Sequence, residues 1–226
     1  ALPLVLGHVS TGLIAFVDNV IAGHHGTDTL GAVTVGTALL WLPMLVPIGT
    51  LISLSASVSQ LHGAGQHARI APLFRQALWL SLALSAVMFT FLSVVPPLLP
   101  VMGIAPDIIP GATGFLHAVR WGVPALTLFF CMRYLNEGMH WTIPTMILGF
   151  GGLLVLGPLG WALANGRGGF PELGATGLGI ASAVTMWVQA IAFALYLWWT
   201  PRFAHLGLFS RFDRPEWSPV GMLGVL

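Results

Sequence analysis

One carboxylate gives this chain its chemistry. Asp18 lies in STGLIAFVDNVIAGHHG, residues 10–26, inside an otherwise apolar helical stretch. A charge at bilayer depth costs about 3 kcal/mol on insertion scales. The group must be neutralised by a proton, paired, or set against a water-filled cavity, and each option suits a site that binds and releases a cation or proton. Gly7, Thr11, Ile14 and Asp18 recur at helical spacing with Ser10 beside them, opposite a face of Leu, Val and Phe. The small, polar face is therefore expected to look into a helix bundle or cavity. No second intramembrane carboxylate accompanies Asp18, and neither HExxH nor GxSxG occurs. An enzyme is not expected. His24 and His25 have only Asp28 nearby as a further ligand, too few for zinc, so no metal site is expected. Gly63-Ala64-Gly65 lacks the preceding strand and the Lys-Ser/Thr of a phosphate-binding loop.

The elements that must position Asp18 are membrane spans. Of the 226 residues, 56% are hydrophobic and 7% charged, against about 25% charged in soluble domains. Mean hydropathy is +0.89. This composition predicts an all-α polytopic membrane protein. All eight basic residues are Arg and the net charge is +1, which gives no basic patch for nucleic acid. The single cysteine, Cys131, excludes an intrachain disulfide and reads as a small buried hydrophobe. A span needs about 20 apolar residues. Six stretches qualify, at about 2–22, 31–59, 74–99, 113–135, 143–164 and 175–199. Residues 200–216 read as a cytoplasmic linker and 217–226 as the truncated start of a seventh span. Ala1 opens directly into a span and Leu226 ends within an apolar stretch, so a fragment of a longer protein is expected.

Arginine sets the orientation. Arg69, Arg75, Arg133, Arg202, Arg211 and Arg214 fall after even-numbered spans, and Arg167 alone falls opposite. The positive-inside rule then places the N-terminus in the cytoplasm. Asp18 comes about 6 Å below the outer end of the first span. Arg120 and His117 read as interfacial, with Arg120 snorkelling outward. Arg133 and Glu137, four residues apart, read as a cap or loop salt bridge after the fourth span. The fifth span carries Gly149, Gly151, Gly152, Gly157 and Gly160, which permit close helix packing. The sixth carries Thr185 and Gln189 among the small residues Gly177, Gly179, Ala181, Ser182 and Ala183, and Gln189 needs a hydrogen-bond partner.

These residues also carry a family resemblance. FVDNVIAG (16–23), SQLHGAG (59–65), MRYLNEGMHWTIPTMILGF (132–150), FPELGATGLGIASAV (170–184) and RFAHLGLF (202–209) together resemble the NorM-type multidrug and toxic compound extrusion (MATE) transporters. The resemblance runs over essentially the whole chain. It implies one six-helix lobe of a twelve-helix transporter, with the C-terminal lobe outside this chain. The two lobes would face each other across a central cavity and alternate between inward-open and outward-open states.

The function implied is antiport in the cytoplasmic (inner) membrane, exporting cationic amphipathic drugs in exchange for H+ or Na+, with no other cofactor. Asp18 matches the family's functional carboxylate of the first span, and Pro3 its conformational proline. Thr11, Thr185 and Gln189 are possible partners of Asp18, and Trp41, Met44 and Phe150 possible drug contacts. Where relatives carry Asn-x-Pro-x-Asn, this sequence reads Leu156-Gly157-Pro158-Leu159-Gly160. Losing both amides leaves fewer oxygens for Na+ and favours proton coupling. The alternatives are a lipid or polysaccharide-precursor flippase, which needs a basic cavity, and a non-transporting membrane scaffold.

Overall fold

The computed structural model describes residues 2–167 and 169–200, with side chains from Val9 onward apart from those of Ser10 and Thr11. The side chains of Pro3 and Thr11, and the linker and seventh span expected beyond Thr200, lie outside the described residues. Within them the structure is helical: α1 Leu2–His25, α2 Thr27–Gly63, α3 Ile70–Val94, α4 Ile109–Val119, α5 Val123–Gly138, α6 Ile143–Ala164 and α7 Gly174–Trp199. Among the described residues five helical stretches are long and apolar enough to cross a membrane: Thr27–Gly63, His67–Val94, Ile109–Gly138, Ile143–Ala164 and Gly174–Trp199. The 24 residues of α1 form a further helix packed along α6 and α2.

Prolines set where these helices begin and bend. Pro110, Pro124 and Pro144 stand in the first turns of α4, α5 and α6, where an N–H would have no intrahelical acceptor. The expected fourth span is therefore two helices. Pro124 has no N–H to give the carbonyl of Arg120, and the chain passes through a 3-10 turn at Arg120–Gly122. Pro43 and Pro47 stay inside α2, and Pro158 inside α6. Packing against neighbouring helices holds such interruptions in membrane proteins.

The bundle closes as a ring. α1 packs on α2 and α6, α6 on α7, α7 on α4 and α5, and these on α2. α3 lies outside, against α2 and α5. Glycine lets the backbones approach. A Cβ on Gly177 would fall 2.6 Å from the Leu163 carbonyl oxygen, and one on Gly179 would fall 2.7 Å from that of Phe115. Apolar side chains are no drier against each other than against lipid tails, so close van der Waals packing is what holds such helices together.

Gly177→Val should therefore cost about 1–3 kcal/mol through overpacking. Gly157→Ala, whose Cβ meets nothing within 4 Å, should be tolerated. Thermal melting of the full-length protein in detergent checks the pair.

Candidate functional site

Asp18 sits in α1, seven residues or about 10 Å from the helix end at His25. Only 5% of the residue is exposed. The Ser182 hydroxyl of α7 donates to Asp18 Oδ2 at 3.1 Å. Among the described residues Oδ1 has no hydrogen-bond partner. The carboxylate is thus tied across the bundle, among the described residues, by a single hydroxyl.

Ser182 is the partner that sequence reasoning missed; it was read only as a small residue. The signal was available in the spacing. Ser182, Thr185 and Gln189 fall at i, i+3 and i+7 and share one face of α7. Thr185 and Gln189, the partners expected from the sequence, bond elsewhere. The Thr185 hydroxyl turns back to the Ala181 carbonyl at 2.8 Å, as threonines in helices commonly do. The Gln189 amide donates to the Leu148 carbonyl of α6 at 3.0 Å. Gly152 makes room for that bond, since a Cβ there would fall 2.1 Å from Gln189 Nε2.

Around Leu156 and Gly160 the wall is carbon. Leu156 is buried with Leu163 and Ala181, and Ile14 and Val17 of α1 pack against them. The space over Gly160 is bounded by Leu178 of α7 and Ile21 of α1. Ser182 also borders a cavity inside the lobe, shared with Trp41, Arg133, Thr145, Leu156 and Gln189, with about 30 Å³ accessible to water. That admits one or two water molecules, and a drug-sized ligand needs at least about 300 Å³. The lining is mostly apolar, with Ile14, Leu126, Phe129, Phe130 and Met186 among it, and the buried Thr145 hydroxyl has no hydrogen-bond partner among the described residues. Of the aromatic and Met residues offered as drug contacts, Trp41 borders this cavity, Met44 is fully buried in the core, and Phe150 is partly exposed.

Arg133 and Glu137 require a correction. They belong to α5, which runs unbroken to Gly138, and not to a loop after it. Arg133 Nε donates to Glu137 Oε1 at 2.6 Å, with side chains only 1% and 10% exposed. The i, i+4 pairing expected from the sequence is present, but as a buried ion pair at the foot of the cavity. Phe130 lies under the guanidinium, 6.0 Å from its ring centroid. His25, by contrast, is a loop fastener. Its Nε2 donates to Glu172 at 3.0 Å and its Nδ1 accepts from the Thr29 hydroxyl at 2.8 Å. No metal-binding cluster of His, Cys, Asp or Glu is present among the described residues.

Comparison with known proteins settles the family. The MatE family model matches residues 3–162, well over half of the chain. The chain belongs to the MatE family. It is 77% identical over 223 residues to a probable multidrug resistance protein NorM of Xanthomonas axonopodis pv. citri, covering 99% of this chain and 49% of that protein. It is 68% identical over 220 residues to the protein of the same name from Xylella fastidiosa strain 9a5c, covering 97% of this chain and 47% of the relative. The crystal structure of the Vibrio cholerae MATE transporter VcmN in the bent form superposes with a TM-score of 0.83 at 15% identity, covering 99% of this chain and 49% of that one. The chain thus spans about half the length of the curated relatives it matches. As a MatE protein it is a multi-pass membrane protein whose relatives are transporters and not enzymes.

Two outcomes follow from the geometry of this MatE bundle. Gly152→Ala should displace Gln189 and cost about 1–2 kcal/mol, and Gly152→Ala with Gln189→Ala should cost less than the sum. Arg133→Gln should cost about 3–5 kcal/mol by leaving Glu137 buried without its ion-pair partner, while Arg133→Met with Glu137→Met should restore much of the loss. Melting of the full-length variants checks both.

Proposed function

We propose that this chain is the N-terminal six-helix lobe of a cation-coupled multidrug efflux antiporter, and that Asp18 holds the coupling cation or the cationic drug in turn. One observation carries the reading. Among the described residues a single carboxylate, 5% exposed, takes one hydroxyl across α1 and α7, and an apolar cluster of Leu156, Leu163 and Ala181 packs on the neighbouring Ile14 and Val17 of α1. Such a carboxylate is costly in a membrane and is characteristic of ion and substrate pathways. Binding a cation from one side neutralises it, and a drug from the other side competes for it. The names of the relatives, multidrug resistance proteins, support the substrate class.

The oxygen count favours H+ over Na+ as the coupling ion. Hard cations take about six oxygen ligands, and near Asp18 the described structure supplies the carboxylate and the Ser182 hydroxyl. Leu156 and Gly160 supply none. The drug would sit between this lobe and the C-terminal lobe, since the internal cavity holds only water-sized guests. Arg75 and Arg133 leave the loop count once placed inside α3 and α5, and four arginines against one still favour a cytoplasmic N-terminus. A flippase would need a basic cavity. The arginine at this cavity is neutralised by Glu137.

The test is efflux of a cationic dye by the full-length protein in cells, at matched expression, across external pH and with or without Na+. Asp18→Asn should fall to the background of cells lacking the transporter, and wild-type efflux should follow pH and ignore Na+. Unchanged efflux by Asp18→Asn would favour a scaffold role for this lobe.

A further inference from the structure

Arg120 takes no part in the site described above, yet it is a fixed charge inside a membrane span. It lies in the 3-10 turn between α4 and α5, eleven residues or about 17 Å beyond the start of α4. Arginine stays protonated, so its charge must be met by geometry. Its Nη1 donates to the Ser93 hydroxyl at 3.1 Å. Its guanidinium lies over Phe89 at 5.3 Å and beside Trp121 at 5.8 Å from the ring centroids. The buried Nε has no hydrogen-bond partner. Among the described residues no carboxylate pairs with Arg120, whereas Glu137 is taken by Arg133 and Glu172 by His25.

The surroundings say what kind of anion is missing. Ser93 is the second-last residue of α3, so the guanidinium reaches the level where that peripheral helix ends. Trp121 is 61% exposed, and Phe91, Val94 and Leu98 nearby in sequence present apolar surface outward. The Trp187 indole donates to the Trp121 carbonyl at 2.9 Å, and Trp187 is itself 41% exposed. A cation held on aromatic faces with N–H groups left over, next to apolar surface, fits an anionic head on an apolar tail.

We propose that Arg120 binds the phosphodiester of a phospholipid in the leaflet on the Asp18 side, with the acyl chains lying against α3 and Trp121. The guanidinium supplies charge-assisted donors to the phosphate, as arginine does where planar recognition matters. Phe89 and Trp121 hold the plane in place through cation–π contact. Ser93 fixes the reach of the side chain. This site lies outside the cavity that Ser182 borders and stands whether or not Asp18 couples transport.

The test uses the full-length protein purified in a neutral detergent, with native mass spectrometry and thermal melting as readouts. The probes are dioleoyl phosphatidylglycerol, dioleoylglycerol with the same chains and no phosphate, and inorganic phosphate alone. Wild type should retain phosphatidylglycerol and melt higher with it, and the other two probes should do neither. Arg120→Gln should bind that lipid about tenfold more weakly, and Arg120→Lys should fall between the two. Equal stabilisation of wild type by dioleoylglycerol overturns the proposal without any variant, because the phosphate would then be irrelevant. Stabilisation by inorganic phosphate alone overturns the lipid assignment. Unchanged lipid retention by a folded Arg120→Gln protein overturns the role of the arginine.

Discussion

A bilayer supplies no water to a polar group buried in it, and this constraint governs the lobe. Each helix closes its own backbone bonds, and each buried side chain must find a partner in another helix or bond back onto its own. Thr127, Thr185 and Ser85 do the latter. Gln189 crosses to the backbone of α6. Arg133 and Glu137 neutralise each other one helical turn apart. Asp18 differs in kind: one oxygen has a hydroxyl and the other has no described partner. Thr145 and Asn136 also keep a buried oxygen without a described partner, but a carboxylate in that position is the group that can exchange a proton or a mobile cation.

The same residues show why Asp18 and Glu137, both buried acids, serve different ends. Glu137 has a cation of its own on the preceding turn, at 2.6 Å. The pair carries no net charge and lies within α5, close to its C-terminal end. Asp18 has a weak, neutral partner on a different helix. A change in its charge alters the contact between α1 and α7, while α6 and α7 stay joined through Gln189. The difference lies in which element carries the partner.

Much of this was legible in the sequence, because membrane spans announce themselves by length and apolarity and an intramembrane acid by its rarity. The all-helical architecture and the presence of a buried acid at Asp18 both came from that contrast. What the sequence obscured was orientation around a helix axis and the exact reach of each span. Ser182 read as a small packing residue because serine serves both purposes in membrane helices. Thr185 and Gln189 were reasonable partners by composition, but their own turns and Gly152 offered them nearer acceptors. Arg133 read as a loop residue because charge usually marks a span's end, and its pairing with Glu137 helps α5 carry it. The interruption at Arg120–Gly122 was hidden because Pro124 is ordinary in a membrane helix, and its effect depends on what neighbours supply.

The glycine seams of α7 bear on how such a lobe can evolve. Where backbone meets backbone, as at Gly177 and Gly179, nearly every coding change adds atoms where there is no space for them. α3, which touches only one side of the bundle and turns the rest outward, accepts most apolar exchanges of similar bulk. Sequence drift in this lobe therefore has an uneven terrain: the outer helix is free to diversify among lipid-compatible residues, while the inner one is held nearly fixed by want of room.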